Sequence, residues 1–370
     1  MTYRVAIIGH TGRGSYGHYL DQSFVGVEGA SIVALADPDE TGRQEALQRT
    51  GARKGYADYR QMLAEERPDI TVIATREIGD HYGLAMAAAE ADTHIYIEKP
   101  VAASPAEVDE MVAACERNGK LLIVACPWRG HPPIQHTAIP LIKGGKIGEP
   151  RLARIYGMNG EHGGNEWFLD LYPHFFDFLW QVWGEPLWCH AHITQDGRDA
   201  TPEDVKEGME GMGLVAGNGF RAYYVFSEGF AADFESYEGD HKERPYRIDI
   251  HGTAGTLSLP GPMSNQPDIY FHPLVSPGLF NDDRWQVIPT EPPPDAHKWV
   301  KAHHRMARSM LAMLDGREPE FALLDGRTAR RHVEWAMAAH ASHIAGARVP
   351  LPLRDPHNPF DSWRGTRPNP

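Results

Sequence analysis

Five short apolar runs, separated by helix-like stretches, constrain the first 125 residues more than any other feature of the chain. They occupy positions 3–8, 31–36, 69–74, 93–97 and 121–125. Continuous runs rich in β-branched residues, with no polar alternation, are what strands buried on both faces of a parallel sheet require. The intervening stretches 41–50, 58–66, 81–91 and 104–118 carry helical periodicity. Ser104-Pro105-Ala106-Glu107 supplies a cap, a proline in the first turn and an acid, and Gly119 is placed to end that helix. Strand–helix alternation of this kind predicts a doubly wound parallel sheet.

The pattern changes after residue 126. A helix is predicted over 134–143, stopping at Gly144-Gly145, and strands over 151–156, 187–194, 220–226, 230–236, 246–251 and 256–259. Short links such as Ser227-Glu228-Gly229 and Thr253-Ala254-Gly255 suit hairpins, so this half is predicted to be α+β with a large, mainly antiparallel open sheet. The stretch 260–294, rich in proline and asparagine, reads as a long irregular excursion, and helices are expected over 296–314 and 325–345. The tail from 349 lacks periodicity and reads as an arm laid on another surface. The expected division is 1–125, 126–350 and an arm over 351–370, which agrees with a length of 370 residues suiting two domains.

A net charge of −14 argues against nucleic acid as a partner but leaves room for an anionic cofactor, because backbone amides and helix termini bind phosphate in acidic proteins. Cys115, Cys126 and Cys189 show no CxxC spacing and read as reduced thiols. The chain opens almost directly on a strand, with no basic leader and no long apolar stretch. No export signal or membrane span is expected, and the cytoplasm is the default location.

Lys99, in His94-Ile-Tyr-Ile-Glu-Lys-Pro-Val101, follows the fourth run. At the carboxyl end of a strand in such a sheet it would point into the crevice where ligands bind. The turn after the first run reads Gly9-His-Thr-Gly12-Arg-Gly14-Ser-Tyr-Gly17. Gly12-x-Gly14-x-x-Gly17 matches the dinucleotide fingerprint, while Gly9-x-Thr11-x-x-Gly14 matches with one substitution and is better placed. Asp37, ending the second run, suits a ribose-accepting carboxylate that favours NAD over NADP, with a helix-capping aspartate as the lesser alternative. Asp170-Leu-Tyr-Pro-His174 reads as the start of a helix at Pro173, with Asp170 and His174 four apart and able to work as an acid–base pair. His190 and His192 share a strand face, but no third ligand is spaced to join them, so no metal site is expected. Trp167, Trp180, Trp183 and Trp188 read mainly as packing mass, with Trp167 able to stack on a sugar face.

Taken together, the 9–17 turn, Asp37, Ile97-Glu98-Lys99-Pro100, Gly163-Gly164 with Leu169-Asp170-x-x-x-His174, and Tyr246-Arg-Ile-Asp-Ile-His-Gly252-Thr-Ala-Gly255 resemble the glucose–fructose oxidoreductase / inositol dehydrogenase / MocA family in the family's order. The resemblance implies an N-terminal Rossmann domain, a second domain for substrate and oligomerisation, a nicotinamide cofactor, a sugar, glycoside or cyclitol substrate, and a homodimer or homotetramer. It implies that Lys99 bonds the reacting hydroxyl, that His174 takes its proton and that Asp170 supports the transfer. Cofactor contacts are implied at Gly9, Thr11, Gly12, Arg13, Gly14, Asp37, Thr75, His81, Glu98 and Lys99. Substrate contacts are implied at Lys99, Arg129, Trp167, Asp170, Tyr172 and His174.

The sequence departs from the family at several points. Thr11 stands for the usual second glycine, Arg76 for a proline, and Tyr172 for a small residue, while 194–218, with a helix-like acidic stretch over 202–212, looks inserted. A second reading is glycoside cleavage by transient oxidation and elimination, with Tyr172, His131 or His162 as an extra base. A third is a non-catalytic NAD-binding sensor, which would have no need for Lys99 and His174.

Overall fold

The computed structural model describes residues 2–160, 162–239, 246–262, 268–274, 284–290 and 298–365. Contacts divide the chain into two compact units, one of residues 1–130, 208–213 and 294–333, the other of 131–207, 214–293 and 334–370. The expected division into consecutive blocks is therefore corrected: a late segment belongs with the N-terminal sheet.

That sheet holds β1 (Tyr3–Ile8), β2 (Ala30–Ala36), β3 (Lys54–Tyr56), β4 (Ile70–Ile73), β5 (His94–Glu98) and β6 (Leu122–Ala125) in the order β3-β2-β1-β4-β5-β6. Every pairing in it is parallel. Between the strands run α1 (Glu40–Thr50), α2 (Tyr59–Glu66), α3 (Ile78–Glu90) and α4 (Pro105–Arg117). Side chains of β1 alternate between two cores. Ala6 and Ile8 pack with Met62, Leu84, Val108 and Met111, whereas Val5 and Ile7 pack with Leu20, Phe24, Ala46, Met306 and Met310. A dinucleotide fingerprint ordinarily opens a helix, and no α-helix follows the glycine turn here. Its place is taken by a 3-10 segment, Gly17–Gln22, in which His18 and Tyr19 have φ of 45° and 61°. Left-handed residues cannot propagate a right-handed helix. The second face is covered instead by Met306 and Met310, from the helix Lys298–Leu314.

The other unit begins with α5 (Ile139–Lys143), preceded by a π-helical turn, and continues through β7 (Pro150–Gly160), α6 (Asn165–Trp183), β8 (Trp188–Gln195), β9 (Arg198–Asp199), β10 (Val205–Glu207), β11 (Leu214–Ala216), β12 (Gly219–Val225) and β13 (Ala231–Glu238). Then come β14 (Arg247–Gly252), β15 (Gly255–Pro260), β16 (Ile269–Pro273) and β17 (Gln286–Ile288); α7 (Lys298–Leu314) belongs to the first unit, and α8 (Gly326–Ala345), which starts there, leads to β18 (Val349–Pro350) and α9 (Pro359–Trp363) in this one. The main sheet runs β17-β16-β15-β14-β7-β13-β12-β8-β18, antiparallel except where β7 meets β13. One face is buried under α6. Phe168 stacks on Phe220 at 4.0 Å, and Phe176 meets Tyr224 and Phe234 edge-on at 5.2 Å each.

Three further expectations are corrected. The inserted 202–212 stretch is not a helix: Gly208 and Gly211 interrupt it, and it forms 3-10 turns around β10, which pairs with β11. Two strands, β16 and β17, lie within the supposed irregular excursion, of which 263–267, 275–283 and 291–294 fall outside the described residues. The tail folds onto its own unit. Phe360 of α9 is buried and stacks on His340 of α8 at 4.4 Å, while 366–370 fall outside the described residues.

Candidate active site

In the first unit, the carboxyl ends of β1, β2 and β4 open on a cavity of about 420 Å³. Gly9, His10, Arg13, Pro38, Tyr59 and Thr75 line it, with Asp58, Gly79, Asp80 and Leu84. This is the point where strand order reverses between β1 and β4, the position of a nucleotide crevice in such sheets. Gly12, at φ 82°, faces open space. Gly14, at φ 72°, packs so closely on the 75–77 loop that a Cβ would lie 2.4 Å from the Glu77 nitrogen. Thr75 Oγ1 donates to the Arg13 carbonyl at 3.0 Å and fixes that contact. Arg13 itself pairs with Asp80 at 2.9 Å and Glu77 at 3.6 Å. An exposed glycine backbone, apolar walls from Leu84 and Tyr59, and an arginine at the rim fit a dinucleotide.

Lys99 follows β5 and is 3 % exposed. Beside it, Glu98 is fully buried and paired with His18 Nδ1, and its Oε2 has no hydrogen-bond partner. Burial by itself would raise the Glu98 carboxyl, but the His18 charge and hydrogen bond, and then Lys99, carry it below its ordinary value. The His18 carbonyl accepts from His303 Nε2 at 3.1 Å, and His303 Nδ1 accepts from the Tyr96 hydroxyl at 3.0 Å. That pattern needs a neutral ring, and burial accordingly pushes His303 down to about 4.

His81 does not line the cavity. It is buried, with Nδ1 2.9 Å from the Pro100 carbonyl and Nε2 2.8 Å from the Thr75 carbonyl, so it ties the Lys99–Pro100 segment to the cavity loop. Asp37 is also withdrawn from the cavity: it is 0 % exposed, and its carboxylate is bonded to Thr11. Arg129 is 1 % exposed and donates to the Ala322 carbonyl, a placement that secures chain to chain. Arg76, where a proline was expected, pairs with Glu210 of the inserted stretch.

In the second unit the site residues lie on α6. Gly164 caps it at φ 86°, and a Cβ there would come within 2.5 Å of the Asn218 carbonyl carbon. Ser236 Oγ accepts the Gly164 N–H at 2.9 Å. The helix starts at Asn165, so Pro173 is interior and not in the first turn as expected. Proline has no N–H to bond the Leu169 carbonyl, and the ladder therefore lacks that bond just beside Asp170 and His174. Trp167, Asp170 and His174 follow i, i+3, i+7 spacing along one face. His174 is 1 % exposed and Asp170 half-buried.

Tyr172 points elsewhere. It is buried 5.9 Å from Phe168 and 5.1 Å from Phe176, and burial raises its phenol, which suits neither substrate contact nor a base. Tyr246 is the neighbour that sequence reading passed over. Its ring is 5.7 Å from Trp167, and its phenol is raised by burial and by the charge of Asp170. His162 lies 3.5 Å from Glu166, which Lys206 also approaches at 3.5 Å. His192 bonds Asp199 at 2.8 Å, and among the described residues no cluster of three or more His, Cys, Asp or Glu could hold a metal. No helix among them is long and apolar enough to cross a membrane.

The GFO_IDH_MocA model, described as "Oxidoreductase family, NAD-binding Rossmann fold", matches residues 3–126. A D-apiose dehydrogenase of Paraburkholderia graminis is 38% identical over 129 residues, covering 35% of this chain and 34% of that one. A myo-inositol 2-dehydrogenase of Thermotoga maritima is 23% identical over 205 residues, covering 54% and 60%. The chain thus spans between about a third and three-fifths of the length of these curated relatives. Among solved structures, a levoglucosan dehydrogenase in complex with NADH and levoglucosan superposes with a TM-score of 0.74 at 16% identity, covering 95% of this chain and 100% of that one, a likeness of fold.

Proposed function

From the match of residues 3–126 to the Gfo/Idh/MocA oxidoreductase family model, we propose that this chain is an NAD-dependent dehydrogenase acting on a secondary hydroxyl of a sugar, glycoside or cyclitol. The observation that carries this reading is Lys99, buried just past β5 on the sheet edge where β1, β2 and β4 open on the cavity. When bound, the nicotinamide supplies the hydride acceptor. Lys99, kept beside an ionised Glu98, polarises the hydroxyl and favours its alkoxide character. His174 takes the hydroxyl proton, and Asp170 supports that transfer.

The relatives named for D-apiose and myo-inositol support the substrate class. NAD over NADP is supported by the cavity's charges. Asp58 and Asp80 line it, Arg13 is paired with Asp80, and the nearby Arg43 donates to the Asp37 carbonyl at 2.6 Å and pairs with Glu40. None of these offers a spare cation to a 2′-phosphate. The outer face of the large sheet, where Tyr223 and Tyr237 are exposed, is assigned to contact between copies in a homodimer or homotetramer. Sedimentation velocity reads that assembly. A screen for reduction of NAD and NADP across aldoses, glycosides and inositols tests the activity: NADH formation with a polyol supports it, and reduction of NADP alone contradicts the cofactor assignment.

A further inference from the structure

The turn after β1 and the carboxylate after β2 would both be expected to serve a nucleotide, yet they are bonded to each other. Thr11 donates its backbone N–H to both Asp37 oxygens at 3.1 Å and its hydroxyl to Oδ2 at 2.7 Å. The Asp39 N–H adds a bond to Oδ1 at 3.0 Å. A carboxylate offers about four acceptor positions, and three donors, the Thr11 N–H, the Thr11 hydroxyl and the Asp39 N–H, already occupy most of them. Asp37 is 0 % exposed, and although Ala36 and Pro38 on either side of it line the cavity, Asp37 does not.

The surroundings hold this arrangement in place. Tyr16 sits against the same carboxylate, with its phenol raised by burial and by the Asp37 charge. The Thr11 side chain fills the space over α1 that Gly42 leaves open: a Cβ at residue 42 would lie 1.9 Å from Thr11 Oγ1. A ribose hydroxyl could reach Asp37 only by displacing Thr11. That would release the loop from which Gly9, His10 and Arg13 line the cavity.

We propose that Asp37 is a positioning residue which anchors the 10–14 loop through Thr11, and that Thr11 sets nucleotide affinity through this bond. The inference rests on the nucleotide-binding reading given above and departs from the ribose-accepting role expected of Asp37.

Titration of the full chain with NADH and NADPH, followed by nucleotide fluorescence, tests the proposal without a substrate. Thr11→Val keeps the side-chain shape and deletes the hydroxyl; the NADH Kd should rise about tenfold, or ~1.4 kcal/mol. Thr11→Ser should restore wild-type binding. Asp37→Asn should weaken NADH and NADPH by the same factor and leave their ratio unchanged. Thermal unfolding without nucleotide checks that each variant folds. Gly42→Ala, which presses on Thr11 from α1, should reproduce the loss if Thr11→Val does not fold. Thr11→Val binding NADH as tightly as wild type or more tightly, or Asp37→Asn gaining on NADPH relative to NADH, overturns the proposal and makes Asp37 a direct ribose ligand. Wild-type protein that binds neither nucleotide overturns the dehydrogenase reading itself, and the role of Thr11 with it.

Discussion

The turn after β1 and the helix α6 both carry residues expected at the site, but they are built by opposite means. The turn is irregular: Gly12 and Gly14 have positive φ, as do Ser15, His18 and Tyr19, and hydrogen bonds hold its shape, Thr11 to Asp37 and Thr75 to the Arg13 carbonyl. α6 is a 19-residue helix pressed into an aromatic core by Phe168, Phe175, Phe176 and Phe178. A side chain on α6 is placed by packing and helical periodicity, whereas one in the turn is placed by which backbone group it happens to bond. Substitutions should therefore separate cleanly: chemistry is lost without unfolding at His174 on α6, stability is lost at the helix cap, and nucleotide affinity is lost in the turn.

The largest effect is expected at His174. His174→Asn should lower kcat by about 10²–10⁴-fold, the usual worth of a general base, with NADH affinity unchanged in the same titration. Equal losses in kcat and nucleotide affinity would place His174 among the groups that merely hold the fold.

One buried neutral histidine in each unit gives a pH test. His303 is held down to about 4 and His340 to about 3, both chiefly by burial. An unfolded histidine takes up its proton near pH ~6.5, so below that pH the unfolded chain binds more protons than the native one. Stability is then full above pH ~6.5 and should fall by roughly 1.4 kcal/mol per pH unit for each histidine as the pH drops toward the folded values. Urea unfolding at pH 7, 6 and 5 measures this, and His303→Gln should flatten the slope.

At the cap of α6, Gly164→Ala meets both a positive φ and the backbone of Asn218, and should cost about 1–3 kcal/mol in the same urea experiment. The smallest effect is expected from Tyr172→Phe, which should leave KM and kcat within about twofold because the ring belongs to the core. A large rise in KM would return Tyr172 to the substrate pocket.

The contrast also explains what the sequence made legible. The five buried runs became β1, β2, β4, β5 and β6, because a both-faces-apolar strand announces itself in composition. That Asp170 and His174 share a helix could be read from their spacing, and both lie on α6. The missing helix after Gly17 was not legible: the fingerprint letters were present, but His18 and Tyr19 are left-handed, and His18 bonds Glu98, eighty residues away. The role of α7 as cover for the first sheet was likewise hidden, since its apolar stripe does not name the surface it packs on. Asp37 shows the same limit. Its position after β2 was read correctly, but Thr11, standing where a glycine would have no hydroxyl, claims its carboxylate.

The most direct measurement is NADH formation from NAD and an active polyol by wild-type protein and by Lys99→Met, with NADH affinity measured on both. A dehydrogenase in which Lys99 polarises the hydroxyl should lose about 10²–10³-fold in kcat in the variant while still binding NADH. A Lys99→Met protein that turns over at the wild-type rate would contradict the central role given to that lysine.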